Sequence, residues 1–230
     1  MKSARTPLRS ATRKDLLAEN AQLRREIDHR VRNSLQVVAS LIEVTSRSNT
    51  EPAARAVLSM LRARVSAMIA VYRTLDDVPH RAIVDMGETL QDLALQVVET
   101  VADRPIRPDV KVDAAGVVLP LDDAMPVALM VIEVLLAAAI DVEMDSPTAV
   151  VALTRNLDKA TLRVELAPRI SGSGGFKLGE PTLHMIQALA RQLGGPLTLE
   201  HGMDGKMILA VAFPVRNLGD LTEKPPQPQG

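Results

Sequence analysis

Between Asp15 and Arg47 there is no glycine or proline, while Leu16, Leu23, Ile27, Val31, Leu35, Val38 and Ile42 recur mostly at helical spacing. Such a run folds as one long helix with an apolar stripe along it. Ser48, Asn49 and Thr50, with Pro52 just beyond, supply capping residues that end one helix and start the next. A second helix is predicted to run to about Leu75, with the stripe Val57, Leu61, Val65, Met68, Tyr72 and Leu75. Two long helices joined by a short connection pack as an antiparallel hairpin. A lone hairpin cannot cover both stripes, so two hairpins are expected to pair as a four-helix bundle in a homodimer. The competing solution is that the rest of the chain covers the stripe.

The remainder is long enough for a second domain. The chain has 230 residues, 47% of them apolar, enough for a packed core. A net charge of −1 and only three aromatic residues, Tyr72, Phe176 and Phe213, argue against a nucleic-acid partner. The absence of cysteine excludes disulfides, thiolate metal sites and a cysteine nucleophile, and it fits a reducing, cytoplasmic setting. The most apolar stretch, Ala124 to Ile140, contains Glu133 and is shorter than the roughly 20 residues that span a bilayer, so it reads as a buried helix and no membrane partner is expected. Residues 1–14 form a basic arm, expected to be disordered, and the tail 216–230 ends in EKPPQPQG, too proline-rich and polar to pack.

The hairpin is assigned to 15–78 and a second domain to 79–215, separated by the hinge-like DDVPHRAIV. In the second domain the pattern predicts a helix over Met86–Ala102, extended pieces at Val110–Val112 and Val117–Leu119, and the buried helix. Strands at Ala149–Thr154 and Thr161–Leu166 flank the turn NLDK. The loop ISGSGG precedes a helix over Leu183–Leu193 closed by Gly194 and Gly195, and strands at Leu197–Glu200 and Met207–Phe213 flank MDG. Helices interleaved with hairpins give an α/β sandwich, with helices covering one face of a mixed sheet.

On the first helix, Ile27, Val31, Leu35, Val38 and Ile42 fall within a sector roughly 80° wide, the expected buried face. His29 projects about 160° from its middle, toward solvent. Asn33 and Gln36 share its side, and Asp28, Arg30 and Arg32 flank it. An exposed neutral imidazole is a nucleophile that a second protein can reach. Helix geometry alone also fits a surface histidine without a role. His80, His184 and His201 are dispersed and lack metal-ligand spacing, so no metal site is expected.

The segment EIDHRVRNSLQVVASLIEVTSRS resembles the phosphoacceptor segment of sensor histidine kinases of the H-R-V-K-N subfamily, related to the HWE kinases. LRARVSAMIAVYRTLD resembles the second dimerisation helix of that subfamily. The resemblance implies that His29 is phosphorylated, that Asp28 polarises it, that Asn33 assists attack or hydrolysis, and that Arg30, Arg32 and Gln36 dock a receiver domain. The second domain resembles the family's ATP-binding (Bergerat-type) domain in layout. Where the family carries Glu-x-x-x-Asn, with the Asn holding Mg²⁺, this chain has EVLLA, keeping Glu133 but placing Ala137 at the Asn position. Where the family has Asp-x-Gly-x-Gly, VELAPRISGSGG has no Asp. The family's Gly-Leu-Gly-Leu is replaced by KLGEPTLHM, with Gly179 remaining and Glu180 adding negative charge. Each lost charge-assisted contact costs roughly 1.5–3 kcal/mol.

An intact phosphoacceptor hairpin beside an altered ATP site resembles dimeric histidine phosphotransferases. The expectation is therefore an enzyme that passes a phosphoryl group between His29 and receiver aspartates, with Mg²⁺ supplied by the receiver and no ATP bound. The alternatives are a divergent ATP-dependent sensor histidine kinase, with Asp141 or Asp145 substituting for lost ligands, and a non-catalytic adaptor or phosphatase that binds a response regulator.

Overall fold

The computed structural model describes residues 13–74, 83–100, 108–140, 147–168, 176–202 and 204–215. Helices α1 (Arg13–Ser48) and α2 (Pro52–Thr74) form the hairpin. Asn49 turns the chain between them, its Oδ1 accepting from the Glu51 N–H at 2.9 Å. Pro52 then starts α2, where a missing N–H leaves no bond unmade. Farther from the turn, Glu43 bridges the helices, its Oε2 accepting from Arg62 at 2.6 Å and its Oε1 from Arg47 at 2.8 Å. The Arg47 hydrogen bond, followed by the charge of Arg62, holds the Glu43 carboxyl below the usual carboxylate range.

Two sheets follow, interleaved with three helices. The elements are β1 (Ile83–Asp85), α3 (Met86–Thr100), β2 (Asp109–Asp113), β3 (Val118–Pro120) and α4 (Leu121–Ile140), then β4 (Thr148–Asn156), β5 (Lys159–Ala167), α5 (Glu180–Leu193), β6 (Leu197–His201) and β7 (Met207–Pro214). β1 pairs with β3, and the main sheet has the order β2-β4-β5-β7-β6. Only β2 and β4 are parallel, a pairing that needs a long crossover, and α4 lies in it. Alternation sets the inner face: Ala149, Val151 and Leu153 on β4, Leu162, Val164 and Leu166 on β5, and Leu209, Val211 and Phe213 on β7 are buried in the core with the helices. Gly194 closes α5 in the left-handed region at φ 72°. Gly195 then passes so close to β7 that a Cβ would lie 2.4 Å from the Ala212 carbonyl oxygen.

The α/β sandwich and its strand pairs match expectation, and two features differ. Ile83 and Val84, assigned to a hinge, are strand residues, because Val84 pairs with Leu119 and both are fully buried. Within one chain the apolar stripe of α1 is only partly covered, and α2 alone does not bury it. Ile42 is buried and Val31 and Leu35 are half-buried, but Ile27 is 58% and Val38 43% exposed. One neighbouring helix covers only part of so broad a stripe, and Leu23, Ile27, Val37, Val38, Leu41 and Val44 remain outside it.

Helix α2 has two apolar faces. Val65 with half-buried Met68 and Tyr72 lies on the predicted stripe, whereas Ala63, Ala67, Ala70 and Val71 form a second face buried in the core of the α/β domain, where α2 packs on α3 and α4. The α/β domain thus covers a face of the hairpin, though not its exposed stripe. Residues 1–12, 75–82, 101–107, 141–146, 169–175, 203 and 216–230 fall outside the described set, and with them the basic arm's first twelve residues, His80, Asp141, Asp145, the ISGSGG loop, Met203 of the predicted MDG turn and the tail. No helix among the described residues is long and apolar enough to cross a membrane.

Ala67 is fully buried where α2 meets the α/β domain. Ala67→Leu is expected to overpack that contact and lower stability by about 1–3 kcal/mol in urea unfolding. Ala56→Leu, on an exposed part of the same helix, should change it by no more than about 0.5 kcal/mol.

Candidate functional site

His29 stands on the exposed surface of α1, one turn from Asn33. Asn33 Nδ2 and His29 Nδ1 are 3.2 Å apart. If the amide donates, Nδ1 accepts and the ring proton sits on Nε2. Turning the amide by 180° lets Oδ1 accept from Nδ1–H and leaves a lone pair on Nε2, facing away from Asn33. The second arrangement makes Nε2 the nucleophile, so Asn33 can select the reactive tautomer.

The neighbours divide by face. Asp28 is half-buried on the side toward α2. Burial pushes the Tyr72 phenol on α2 upward, and the carboxylates of Asp28 and of Asp122, at the start of α4, add to the shift. Asp28 therefore acts on the seam between hairpin and α/β domain as well as standing next to His29. Arg30 is exposed and paired with Glu26, one turn back, at 2.5 Å. Such an exposed pair is worth little and leaves the guanidinium able to exchange partners. Arg32 is half-buried and Gln36 exposed. His29, Arg30, Asn33 and Gln36 thus share one accessible surface.

The residues expected at the nucleotide site stand on two elements that pack together, α4 and the start of α5. Glu133 is 3% exposed in the middle of α4. Sequence reading left it without a partner, and the structure supplies one: Arg64 of α2 grips the carboxylate with two nitrogens, Nη2 donating to Oε2 at 2.8 Å and Nε to Oε1. These bonds raise the Arg64 pKa above its ordinary value, the hydrogen bond to Glu133 outweighing burial. Sixty-nine positions separate the partners, beyond the reach of any local pattern. Ala137 follows one turn on, half-buried and without a ligating atom.

Gly179 is the N-cap of α5 and has no side chain to cap it. Glu180 and Pro181 open the helix. Proline removes one of the free N–H groups that a helix start offers to phosphate, and glutamate opposes a second anion. Pro181 is a departure that sequence reading passed over, although it was visible there.

Residues 26–101, from α1 through α3, match the family model described as histidine kinase. The chain is 28% identical over 216 residues to the sensor histidine kinase PdtaS of Mycobacterium tuberculosis, a match covering 90% of this chain and 42% of that protein. The chain thus spans less than half the length of that relative. Among solved structures it is similar to the histidine kinase domain of the Erythrobacter litoralis EL346 blue-light activated histidine kinase, with a TM-score of 0.56, 22% identity, and coverage of 87% of this chain and 94% of that one. The longer EL346 structure gives a TM-score of 0.54 at 20% identity, covering 91% of this chain and 62% of that one.

These similarities correct the expectation of a histidine phosphotransferase. The sequence match and the relative are to histidine kinases, and they fit the divergent-kinase alternative better. A phosphohistidine intermediate is common to both readings. Residues 26–101 match the histidine kinase family model, and nearly the whole chain is similar in fold to a solved histidine kinase domain.

Proposed function

We propose that this chain is the catalytic region of a divergent sensor histidine kinase, which phosphorylates His29 from ATP and passes the phosphoryl group to the aspartate of a response-regulator receiver. The observation that carries the reading is an exposed histidine, hydrogen-bonded to Asn33, inside the segment that matches the histidine kinase model. In the first step His29 Nε2 attacks the γ-phosphorus of ATP, forming the N–P bond as the bond from that phosphorus to the bridging oxygen breaks. ADP leaves with that oxygen, and the ring proton stays on Nδ1, held by the Asn33 carbonyl. In the second step the receiver carboxylate takes the phosphorus and returns the imidazole to its neutral form. Arg30, Arg32 and Gln36 lie on the surface that the receiver would meet. Both ATP and receivers are found in the cytoplasm, where this reading places the catalytic region.

The nucleotide side departs from the family. Ala137 offers no ligand and both oxygens of Glu133 are taken by Arg64, so the described residues do not fit a Mg²⁺ ion in this arrangement. The expectation that no nucleotide binds belonged to the phosphotransferase reading, and the kinase reading replaces it with weak ATP binding.

Labelling with γ-labelled ATP in the presence of Mg²⁺ should place phosphate on His29, slowly and only at high ATP concentration. His29→Ala should abolish it while changing stability by no more than about 0.5 kcal/mol. Asn33→Ala should slow labelling about 2–10-fold, the worth of one hydrogen bond of roughly 0.5–1.5 kcal/mol. Absence of label at every ATP concentration would defeat the kinase reading.

The exposed stripe of α1, with Leu41 62% exposed, continues on α2 through Leu61 at 41%. A second copy of the chain presents the same stripe and can cover it about a two-fold axis, which makes the homodimer our reading of the partner. Leu41→Glu should convert a dimer to a monomer in sedimentation experiments. A wild-type protein that sediments as a monomer at high micromolar concentration would rule the dimer out.

A further inference from the structure

We infer that the Arg64–Glu133 ion pair is a latch that fixes the α/β domain on the hairpin at a level away from His29, so that phosphorylation requires the pair to open. The inference rests on the kinase reading for its consequence and on geometry for the latch itself.

The level follows from the hairpin. Glu43 meets Arg62, and the turn joins Ser48 to Pro52, so the part of α1 level with Arg64 is the stretch from Gln36 to Leu41. His29 lies roughly 10–18 Å of helix rise from that stretch. Side chains on a helix lean toward its N-terminus, so Arg64 leans toward the turn and adds to the offset. The middle of α4, which by the family resemblance carries the nucleotide-facing residues, is thus tied to the wrong part of the hairpin for transfer. A dimer axis running along the bundle would leave both levels unchanged, so the offset also applies between subunits.

Chemistry favours a latch over a plain packing contact. Around the pair, the α2 face is built of Ala63, Ala67 and Ala70, which bury little apolar area each. A buried ion pair adds less stability than an apolar pair of equal volume, and its best-attested use is to specify register or to switch. Glu133 is buried and Arg64 partly exposed at 29%, so water or a competing anion reaches the arginine side first. The fork geometry of Arg64 also fixes α4 in angle as well as in distance.

The chain has no cysteine, so one cysteine introduced at Ser40 on α1 and one at Glu200 on β6, both exposed, can carry spin labels on an otherwise unlabelled protein. Pulsed electron resonance on the full chain, with labelled protein diluted in an excess of unlabelled protein so that a dimer carries one labelled subunit, should give one narrow distance distribution. Arg64→Glu, which sets two carboxylates against each other, should broaden and lengthen it, and the exchange Arg64→Glu with Glu133→Arg should restore it. Arg64→Lys keeps the charge without the fork and should fall between, which preserves the test if the glutamate variant fails to fold. A broad distribution in the wild type, or distances unchanged in both single variants, would overturn the latch. Labelling of His29 by ATP, measured on the same proteins, reports separately on the kinase reading. With the latch open it should rise several-fold in Arg64→Lys, and an unchanged rate alongside altered distances would overturn the claim that opening limits phosphorylation.

Discussion

The contact on which the rest of the molecule depends is the seat of α2 on α4. Through it a helix of the hairpin joins the hydrophobic core of the α/β domain, with Ala63, Ala67, Ala70 and Val71 lying in the same buried cluster as Val131, Leu135 and Ala138. Small side chains let two helices approach closely, and their backbones then constrain each other in register. Arg64 and Glu133 complete the contact by satisfying a charge that α4 carries into its buried middle. Removing one partner would leave the other unpaired in a low-dielectric setting, which costs more than the pair contributes.

Because α2 faces two ways, the hairpin has an asymmetric task. One side of α2 is committed to the α/β domain, the other to α1, and α1 is left with more apolar surface than its neighbour covers. The exposed apolar residues in the row from Leu23 to Val44 fall on one side of the helix, interrupted by Arg30 and Ser34, and the cluster Val37, Val38, Leu41 and Val44 is the exposed apolar patch that marks an interaction surface. His29 lies outside this row, near the level where α2 ends, so a second hairpin can cover the row and leave the imidazole accessible. Asp28 and Tyr72 sit at the seam below it, where the α/β domain begins.

Much of this was legible in the sequence. The run without Gly or Pro fixed the hairpin, the alternation at 149–154 and 207–213 located the central strands, and the angular position of His29 placed it on the surface. The second face of α2 was not legible, because alanine is both a core residue and the best helix former, and a row of alanines carries no periodic signal that separates the two. Ile83 and Val84 were too short a run to announce a strand without their partner Leu119. Glu133 was visible as an acid in an apolar helix, but its partner is distant in sequence and α2 contains several arginines. The family resemblance points to His29 and to altered nucleotide motifs, but loss of motifs does not by itself separate a phosphotransferase from a kinase. A missing side chain lowers affinity by a finite amount, whereas the choice between transferase and kinase concerns where the phosphoryl group comes from.

Three lost contacts at roughly 1.5–3 kcal/mol each amount to several kcal/mol, a loss of three or more orders of magnitude in affinity if all of it falls on the ground state. A kinase tolerates such a loss where remaining contacts hold the nucleotide in place, because only interactions stronger in the transition state than in the bound state set the rate of transfer. In the proposed reading Ala137 and Pro181 bear on nucleotide binding, while His29 and its hydrogen bond to Asn33 bear on the chemical step. The two sets lie on different elements, α4 and α5 against α1, so one can weaken while the other stays intact. On the proposed kinase reading such a chain would bind ATP poorly and still present a competent acceptor, and its output would follow how often the α/β domain reaches the level of His29.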